Sequence, residues 1–208
     1  MSITTYAELK TAIQDFLNRD DLSATVDTFI DLAEARMQRE IRHYKMEAIT
    51  QLTATTQYTT LPSDFLQPIR LSVNSTGRAL EAVSRENLQD RRYATNDTAQ
   101  EPRFYGITDG QLELYPTPSE SFAIDTLYYQ KITPLDGTNT SNWLLEDAPD
   151  AYLYGALIHS APYLADDPRT TIWAALYQAA VDSLHKSSED TKWGGAGLNL
   201  RAPKYGIR

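Results

Sequence analysis

An unbroken amphipathic segment, residues 25–45, is the feature that most constrains how this chain can fold. Thr25 is placed to cap the first turn, and Asp27 lies at the positive end of the helix dipole. The pattern predicts about six helical turns. A helix with all of its apolar residues on one side needs other helices against that face. The apolar residues recur at steps of three and four, which places them on one side: Val26, Ile30, Ala33, Met37, Ile41 and Tyr44.

Three further segments supply those helices. The first begins at Thr5, which forms a capping-box pattern with Glu8, and its apolar stripe continues to about residue 18. Two more lie near the far end of the chain, one beginning at Asp147 and Pro149 and the other at residues 166–168. Apolar residues on the facing stripes are expected to be buried: Met37, Ile41, Leu157, Leu176 and Leu184.

Between the helical segments the apolar pattern alternates, which is typical of β-strands. Residues 48–53 are predicted to form a strand whose partner is residues 57–61. Asp109 and Gly110 lie between two alternating runs and predict a hairpin turn. The longest predicted strand covers residues 122–132.

The predicted fold class is therefore α+β. Two N-terminal and two C-terminal helices form a four-helix bundle from residues 1–46 and 142–188. Residues 47–141 form an antiparallel β-rich insertion, and residues 189–208 form a flexible, extended C-terminal arm.

Composition narrows the possible functions. The net charge is −9, whereas a free DNA-binding domain normally carries a basic excess. The chain has no cysteine, so disulfides, zinc–thiolate sites and thiol nucleophiles are excluded. The N-terminus lacks a signal-peptide pattern, and no apolar run approaches the roughly 20 residues that span a bilayer. We expect a chain without membrane contact.

No group of residues predicts catalysis, cofactor binding or metal binding. The carboxylate pairs Asp147–Asp150 and Asp166–Asp167 lie at helix starts, where capping explains them. The adjacent arginines at 91–92 fit a solvated helix face. No two of the three histidines lie at metal-ligand spacing on one helix: His43, His159 and His185. The residues alone therefore indicate an α+β protein whose ligands are other proteins.

Longer stretches of the chain resemble one protein family. The start reads TYAELKTAIQDFLNRDDL and then FIDLAEARMQREIR; the middle contains PRFYGITDGQLELYPTPS and LYYQKITPL. The final helices read NWLLEDAPDAYLYGALIHSAPYLADDPRTTIWAALYQAAVDSL. In this order the stretches resemble head–tail adaptor (connector) proteins of short-tailed bacteriophages and their prophages. The resemblance covers nearly the whole chain.

The resemblance implies a structural virion protein of the neck, assembled in the host cytoplasm, with neither enzymatic activity nor a cofactor. Such adaptors form a homo-oligomeric ring, usually of about twelve copies, beneath the portal protein. The opposite face of the ring receives the tail nozzle or tail fibre proteins, and genomic DNA passes through the channel without specific binding. The alternatives are another neck or tail-completion protein and, from other classes, a small hydrolase or a nucleic-acid-binding module.

The resemblance also makes the C-terminal arm the expected portal-binding site. Its glycines let it bend, its apolar side chains can enter pockets, and its cations can meet an acidic partner. A frayed terminus is the alternative interpretation. The candidate partner-binding residues are Trp193, Leu198, Leu200, Arg201, Lys204, Tyr205, Ile207 and Arg208.

Overall fold

The computed structural model describes residues 3–95, 99–164 and 168–194, apart from the side chains of Asp20 and Thr95. Over these ranges the chain is mixed α+β, with six α-helices and two β-sheets. The α+β class is confirmed, and the four-helix bundle stays a prediction. The chain divides into two units: unit 1 is Met1–Lys45 with Ile132–Arg208, and unit 2 is Met46–Lys131.

Helix α5 is the centre of unit 1, because it packs against α1, α2 and α6. Gly155 permits this close approach: a Cβ atom there would lie 3.3 Å both from Ala33 Cβ on α2 and from the Tyr177 ring on α6. The six helices are α1 Tyr6–Leu17, α2 Val26–Glu40, α3 Arg85–Thr95, α4 Trp143–Asp147, α5 Pro149–His159 and α6 Arg169–Trp193. All of them except α3 belong to unit 1.

The helix starts agree with the sequence at some positions only. The capping box of α1 is confirmed, since Thr5 Oγ1 accepts from Glu8 N–H and the Glu8 carboxylate accepts from Thr5 N–H. Thr25 was expected to cap α2, which is wrong: its hydroxyl donates to a carbonyl in the preceding turn. Asp147 does not cap α5, because it ends α4 and pairs with Lys45 instead.

Helix α2 ends at Glu40, so the prediction of an unbroken helix to residue 45 is wrong. The backbone turns extended at Ile41, with a ψ angle of 132°. Side chains of α6 bind amide groups beyond this point: His185 Nε2 accepts from Arg42 N–H at 3.5 Å, and Ser188 Oγ accepts from Tyr44 N–H at 2.9 Å. These bonds replace those that another helical turn would have made.

The buried stripe of α6 is rotated from the predicted one. Leu176 was expected in the core, but it is 40% exposed, and Tyr177 is buried instead. Tyr177 fits inside because its hydroxyl donates to Glu40 at 2.8 Å while its ring packs at Gly155. The other residues predicted for the core are buried: Met37, Ile41, Leu157 and Leu184. The helix continues past its predicted end at residue 188, to Trp193, so residues 189–193 are helical and not part of an extended arm.

Unit 2 consists of two sheets and α3. One sheet has the strand order β1-β7-β3 and the other the order β2-β6-β5-β4. The strands are β1 Glu47–Ala54, β2 Tyr58–Thr60, β3 Phe65–Val73, β4 Glu81–Ala82, β5 Phe104–Thr108, β6 Gln111–Tyr115 and β7 Phe122–Gln130. Side chains from both sheets form the core, among them Val73, Leu112 and Ile124.

The predicted pairing of residues 48–53 with 57–61 is wrong. β1 pairs antiparallel with β7 and β2 pairs with β6, so the two neighbouring strands enter different sheets. The hairpin at Asp109 and Gly110 is confirmed, since it joins β5 to β6 and both residues have positive φ angles, of 50° and 69°. Alternation identified strands correctly, but it contains no information on which strand is the partner.

Two polar residues of α2 hold the segment by which the chain returns to unit 1. Glu34 Oε1 accepts from Leu135 N–H at 2.8 Å and from the Tyr152 hydroxyl at 3.0 Å, and Gln38 Oε1 accepts from Ile132 N–H at 2.9 Å. Unit 2 therefore ends at Lys131, whereas the predicted insertion continued to residue 141. Burial raises the pKa of Glu34.

The Glu34 contacts predict opposite results for two substitutions. Glu34→Ala removes the acceptor of two donors and is expected to cost about 1–3 kcal/mol. Glu34→Gln keeps an acceptor oxygen and removes the buried charge. Because the pKa of Glu34 is raised, its stabilising contribution is present in acid and lost as pH rises through that pKa. In urea unfolding, the free energy of unfolding of Glu34→Gln relative to that of the wild type should therefore increase from acidic to neutral pH. A difference that does not change with pH would contradict this prediction.

Two leucines on α6 provide a matched pair for testing its buried stripe. Leu184→Ala should lower the free energy of unfolding by about 2–5 kcal/mol, because Leu184 is only 7% exposed and its loss leaves a cavity. Leu176→Ala, at a position 40% exposed, should cost roughly 1 kcal/mol or less. Equal losses in chemical denaturation would show that both residues are in a core.

Candidate functional site

The structure describes the first residue of the predicted partner-binding set. Trp193 is the last residue of α6, and its side chain is 68% exposed. An indole ring exposed to this extent is available to a partner, and Trp is enriched among the residues that dominate binding energy. The rest of the set lies outside the described residues: Leu198, Leu200, Arg201, Lys204, Tyr205, Ile207 and Arg208.

The histidines make structural contacts. His43 is 2% exposed and stacks on Trp143, with ring centroids 5.0 Å apart, and burial lowers its pKa. The pKa of His159 is also lowered by burial, which disfavours the charged ring. His185 accepts a hydrogen bond from the backbone beyond α2. The contacts of His43 and His185 explain these two side chains as parts of the packing of unit 1, whereas His159 Nε2 is buried without a hydrogen-bond partner.

A polar groove of about 440 Å³ in unit 1 contains one of the predicted carboxylate pairs. Asp147 and Asp150 both line it, and Lys45 Nζ lies 2.7 Å from Asp147 Oδ2. That hydrogen bond raises the pKa of Lys45. The ion pair is about one-third exposed and so contributes little to stability. The other predicted pair, Asp166 and Asp167, lies outside the described residues.

A second polar site, in unit 2, was missed by the sequence analysis. Its cavity of about 320 Å³ is lined by Gln57, Tyr58, Gln89, Arg92, Tyr93 and Glu113. Glu113, on β6, is 1% exposed, and its Oε1 accepts from the Arg92 guanidinium and from Gln57 Nε2, the latter at 3.1 Å. Arg92 also donates to the Leu114 carbonyl at 2.5 Å. The site is thus built around a buried ion pair.

Helix α3 creates this site by covering one face of the sheet. Gly106 on β5 is paired with Glu113 in the register of the sheet. Leu88 of α3 packs over Gly106 so closely that a Cβ atom there would lie 2.9 Å from Leu88 Cδ1. The predicted solvated helix face at residues 91–92 is therefore wrong for Arg92, whose side chain is 14% exposed. On β6, Glu113 alternates with Leu112 and Leu114, and all three side chains are buried.

Neither a metal centre nor a membrane-spanning helix was found in the part of the chain that the structure describes. Among those residues, no three His, Cys, Asp or Glu side chains are grouped so as to hold a metal ion. None of the described helices combines the length and the apolar character needed to cross a membrane.

Comparison with known protein families gives a match over nearly the whole chain. The model of a family described as SU10 adaptor protein matches residues 4–201. The chain belongs to the SU10 adaptor protein family. A search of curated proteins found no match. The match begins before α1 and extends beyond α6, so it includes both units.

Membership of the SU10 adaptor family confirms the broader part of the resemblance. The chain is a phage adaptor: a structural component of the virion that interacts with other head or tail proteins and oligomerises. The functional sites of an SU10 adaptor protein are accordingly binding surfaces. The exposed end of α6 and the polar pocket of unit 2 are the two candidates in the described residues.

The buried ion pair of the pocket predicts a characteristic double-mutant result. Arg92→Leu leaves the Glu113 carboxylate buried without its cation and is expected to cost about 3–5 kcal/mol. Replacing both residues by leucine removes the unpaired charge, so the double variant should be more stable than Arg92→Leu alone. The measurement is urea unfolding of the wild type, both single variants and the double variant. Additive losses would indicate that the two side chains do not interact.

Proposed function

We propose that this SU10 adaptor protein forms a ring of about twelve copies that joins the portal to the tail nozzle of a short-tailed phage. The family match over residues 4–201 is the observation that supports this role most strongly. The order of the stretches that resemble short-tailed phage adaptors supports the more specific assignment. In this proposal the helical parts of the chain form the four-helix bundle expected from the sequence.

The C-terminal arm is the proposed attachment to the portal. Helix α6 has 25 residues and is therefore about 37 Å long, so the arm starts well away from the helix's first turn. Trp193 ends the helix as an exposed anchor, and the sequence beyond it combines glycines with apolar and basic residues. This composition suits a segment that binds in an extended form to an acidic, pocketed surface.

The charge of the chain suits a channel for DNA. A net charge of −9 repels phosphate, so genomic DNA can pass through the ring without being retained. Basic groups facing the channel would instead add affinity that falls with salt. We therefore propose that DNA crosses the ring without specific binding and that the tail nozzle or tail fibre proteins bind the opposite face.

Truncation after Gly194, combined with Trp193→Ser so that the exposed anchor is removed as well, tests the proposed arm. The cut must follow α6, because Ser188 is buried and its hydroxyl accepts from Tyr44 N–H. The truncated chain should keep the wild-type unfolding midpoint and lose attachment to purified portal rings, measured as the fraction of rings that carry added density in negative-stain images. A matched full-length variant with Arg201, Lys204 and Arg208 changed to Ala should attach more weakly, if the cations meet an acidic partner.

Each outcome of the portal experiment has a distinct meaning. Wild-type attachment by the truncated chain would show that the arm is not the anchor. Failure of the full-length chain to attach to portals, combined with binding to tail proteins, would favour another neck or tail-completion role. Tight, salt-sensitive binding of the assembled ring to duplex DNA would contradict the low-affinity channel.

A further inference from the structure

The pocket of unit 2 contains a carboxylate oxygen that the protein leaves unsatisfied. Glu113 is 1% exposed, and its Oε1 already accepts from Arg92 and Gln57. Its Oε2 is also buried and has no hydrogen-bond partner. A buried acceptor without a donor is costly, and native proteins usually supply one from the protein, from water or from a ligand. Glu113 lines the cavity, so a donor that enters the cavity lies next to this carboxylate.

The mouth of this pocket is aromatic. Tyr58 is 42% exposed and Tyr93 is 85% exposed, although both are large rings that normally lose water on folding. Both line the same cavity as Glu113. Glu86 and Asp90 are exposed on α3, four residues apart, and Tyr93 follows three residues after Asp90. This spacing places the two carboxylates on the same face of the helix as the exposed ring.

We propose that this pocket binds an arginine side chain presented by a partner protein. A guanidinium group donates N–H bonds to Glu113 Oε2 while its plane lies against the exposed tyrosine rings. The net charge of −9 on the chain attracts an incoming cation over a longer distance. The inference rests on the proposed adaptor role, which supplies the partner proteins.

Arginine fits these features better than the other donors do. Its planar head stacks on aromatic rings, and it is more weakly hydrated than the lysine ammonium, so less hydration is lost on entry. A neutral amide offers donors of similar shape, but its hydrogen bonds to a carboxylate are weaker than charge-assisted ones. Arginine and tyrosine are also the residue types that commonly dominate binding energy at protein interfaces.

Small-molecule probes can test the pocket on the full-length chain alone. The isotope-labelled protein is titrated with N-acetyl-L-arginine amide, and binding is followed by NMR. N-acetyl-L-citrulline amide is the matched probe, since it has nearly the same shape without the charge. We expect saturable shifts at Gln57, Tyr58 and Tyr93 with the arginine probe, and several-fold weaker binding of the citrulline probe. Equal binding of the two probes, or unsaturable shifts spread over the acidic surface, would overturn the proposal.

Substitutions at Tyr93 localise the binding without endangering the fold, because this side chain is 85% exposed. Tyr93→Ser should weaken binding of the arginine probe about two- to fivefold, the usual strength of an exposed cation–π contact. Tyr93→Phe retains the ring and should bind as the wild type does. Ile172→Ser, at an exposed position in unit 1, serves as the control. An unchanged affinity for Tyr93→Ser would place the probe elsewhere.

The probe experiment tests the arginine pocket and the portal experiment tests the adaptor role, so a negative result in one does not imply a negative result in the other. A chain that attaches to portal rings but does not bind the arginine probe keeps its adaptor role and refutes the arginine pocket. A chain that binds the probe in the pocket but ignores portal rings keeps the pocket and loses the proposed attachment.

Discussion

The hydrogen bonds that α2 makes to the returning chain are the constraint on which unit 1 depends. Two N-terminal helices and the C-terminal helices are far apart in sequence, and they form one unit only if the chain re-enters it in a defined position. Glu34 and Gln38 define that position by accepting from the backbone at Leu135 and Ile132. Tyr152 joins the same carboxylate from α5, the helix against which α1, α2 and α6 pack. A polar group on the helix thus sets the register of an apolar core.

Unit 2 contains a comparable arrangement, in which a charged residue orders an otherwise apolar assembly. Glu113 lies on a buried strand between two leucines, and α3 brings Arg92 to it. The pair is satisfied on one carboxylate oxygen and incomplete on the other. Buried polar networks are costly when incomplete, so a buried group without a partner calls for an explanation such as a water, an ion or a ligand. The same carboxylate therefore holds Arg92 of α3 against β6 and provides the acceptor of the proposed arginine pocket.

Of the two candidate binding surfaces, one could be identified from the sequence and the other could not. Trp193 was identified because an aromatic residue beside a glycine-rich segment is visible in the sequence. The pocket was missed because its residues come from β2, α3 and β6 and from the segment before β2. Arg92 looked like part of a solvated face, and only the packing of Leu88 over Gly106 explains why that face is covered. Pairing between distant segments of this kind has no local pattern to reveal it.

The sequence by itself determined the local structure of this protein: the α+β class, the capping box of α1, the hairpin at Asp109–Gly110 and most of the helical core. These features follow from residue spacing and turn chemistry within a few positions. The tertiary structure alone decided which strand pairs with β1, where α2 ends and which face of α6 turns inward. In each of these cases the deciding partner is distant in sequence: β7 for β1, His185 and Ser188 for the end of α2, and Glu40 and Gly155 for Tyr177. The periodicity of a short segment contains no information on partners that are distant in sequence. Their contributions to stability can therefore be seen only in the folded structure.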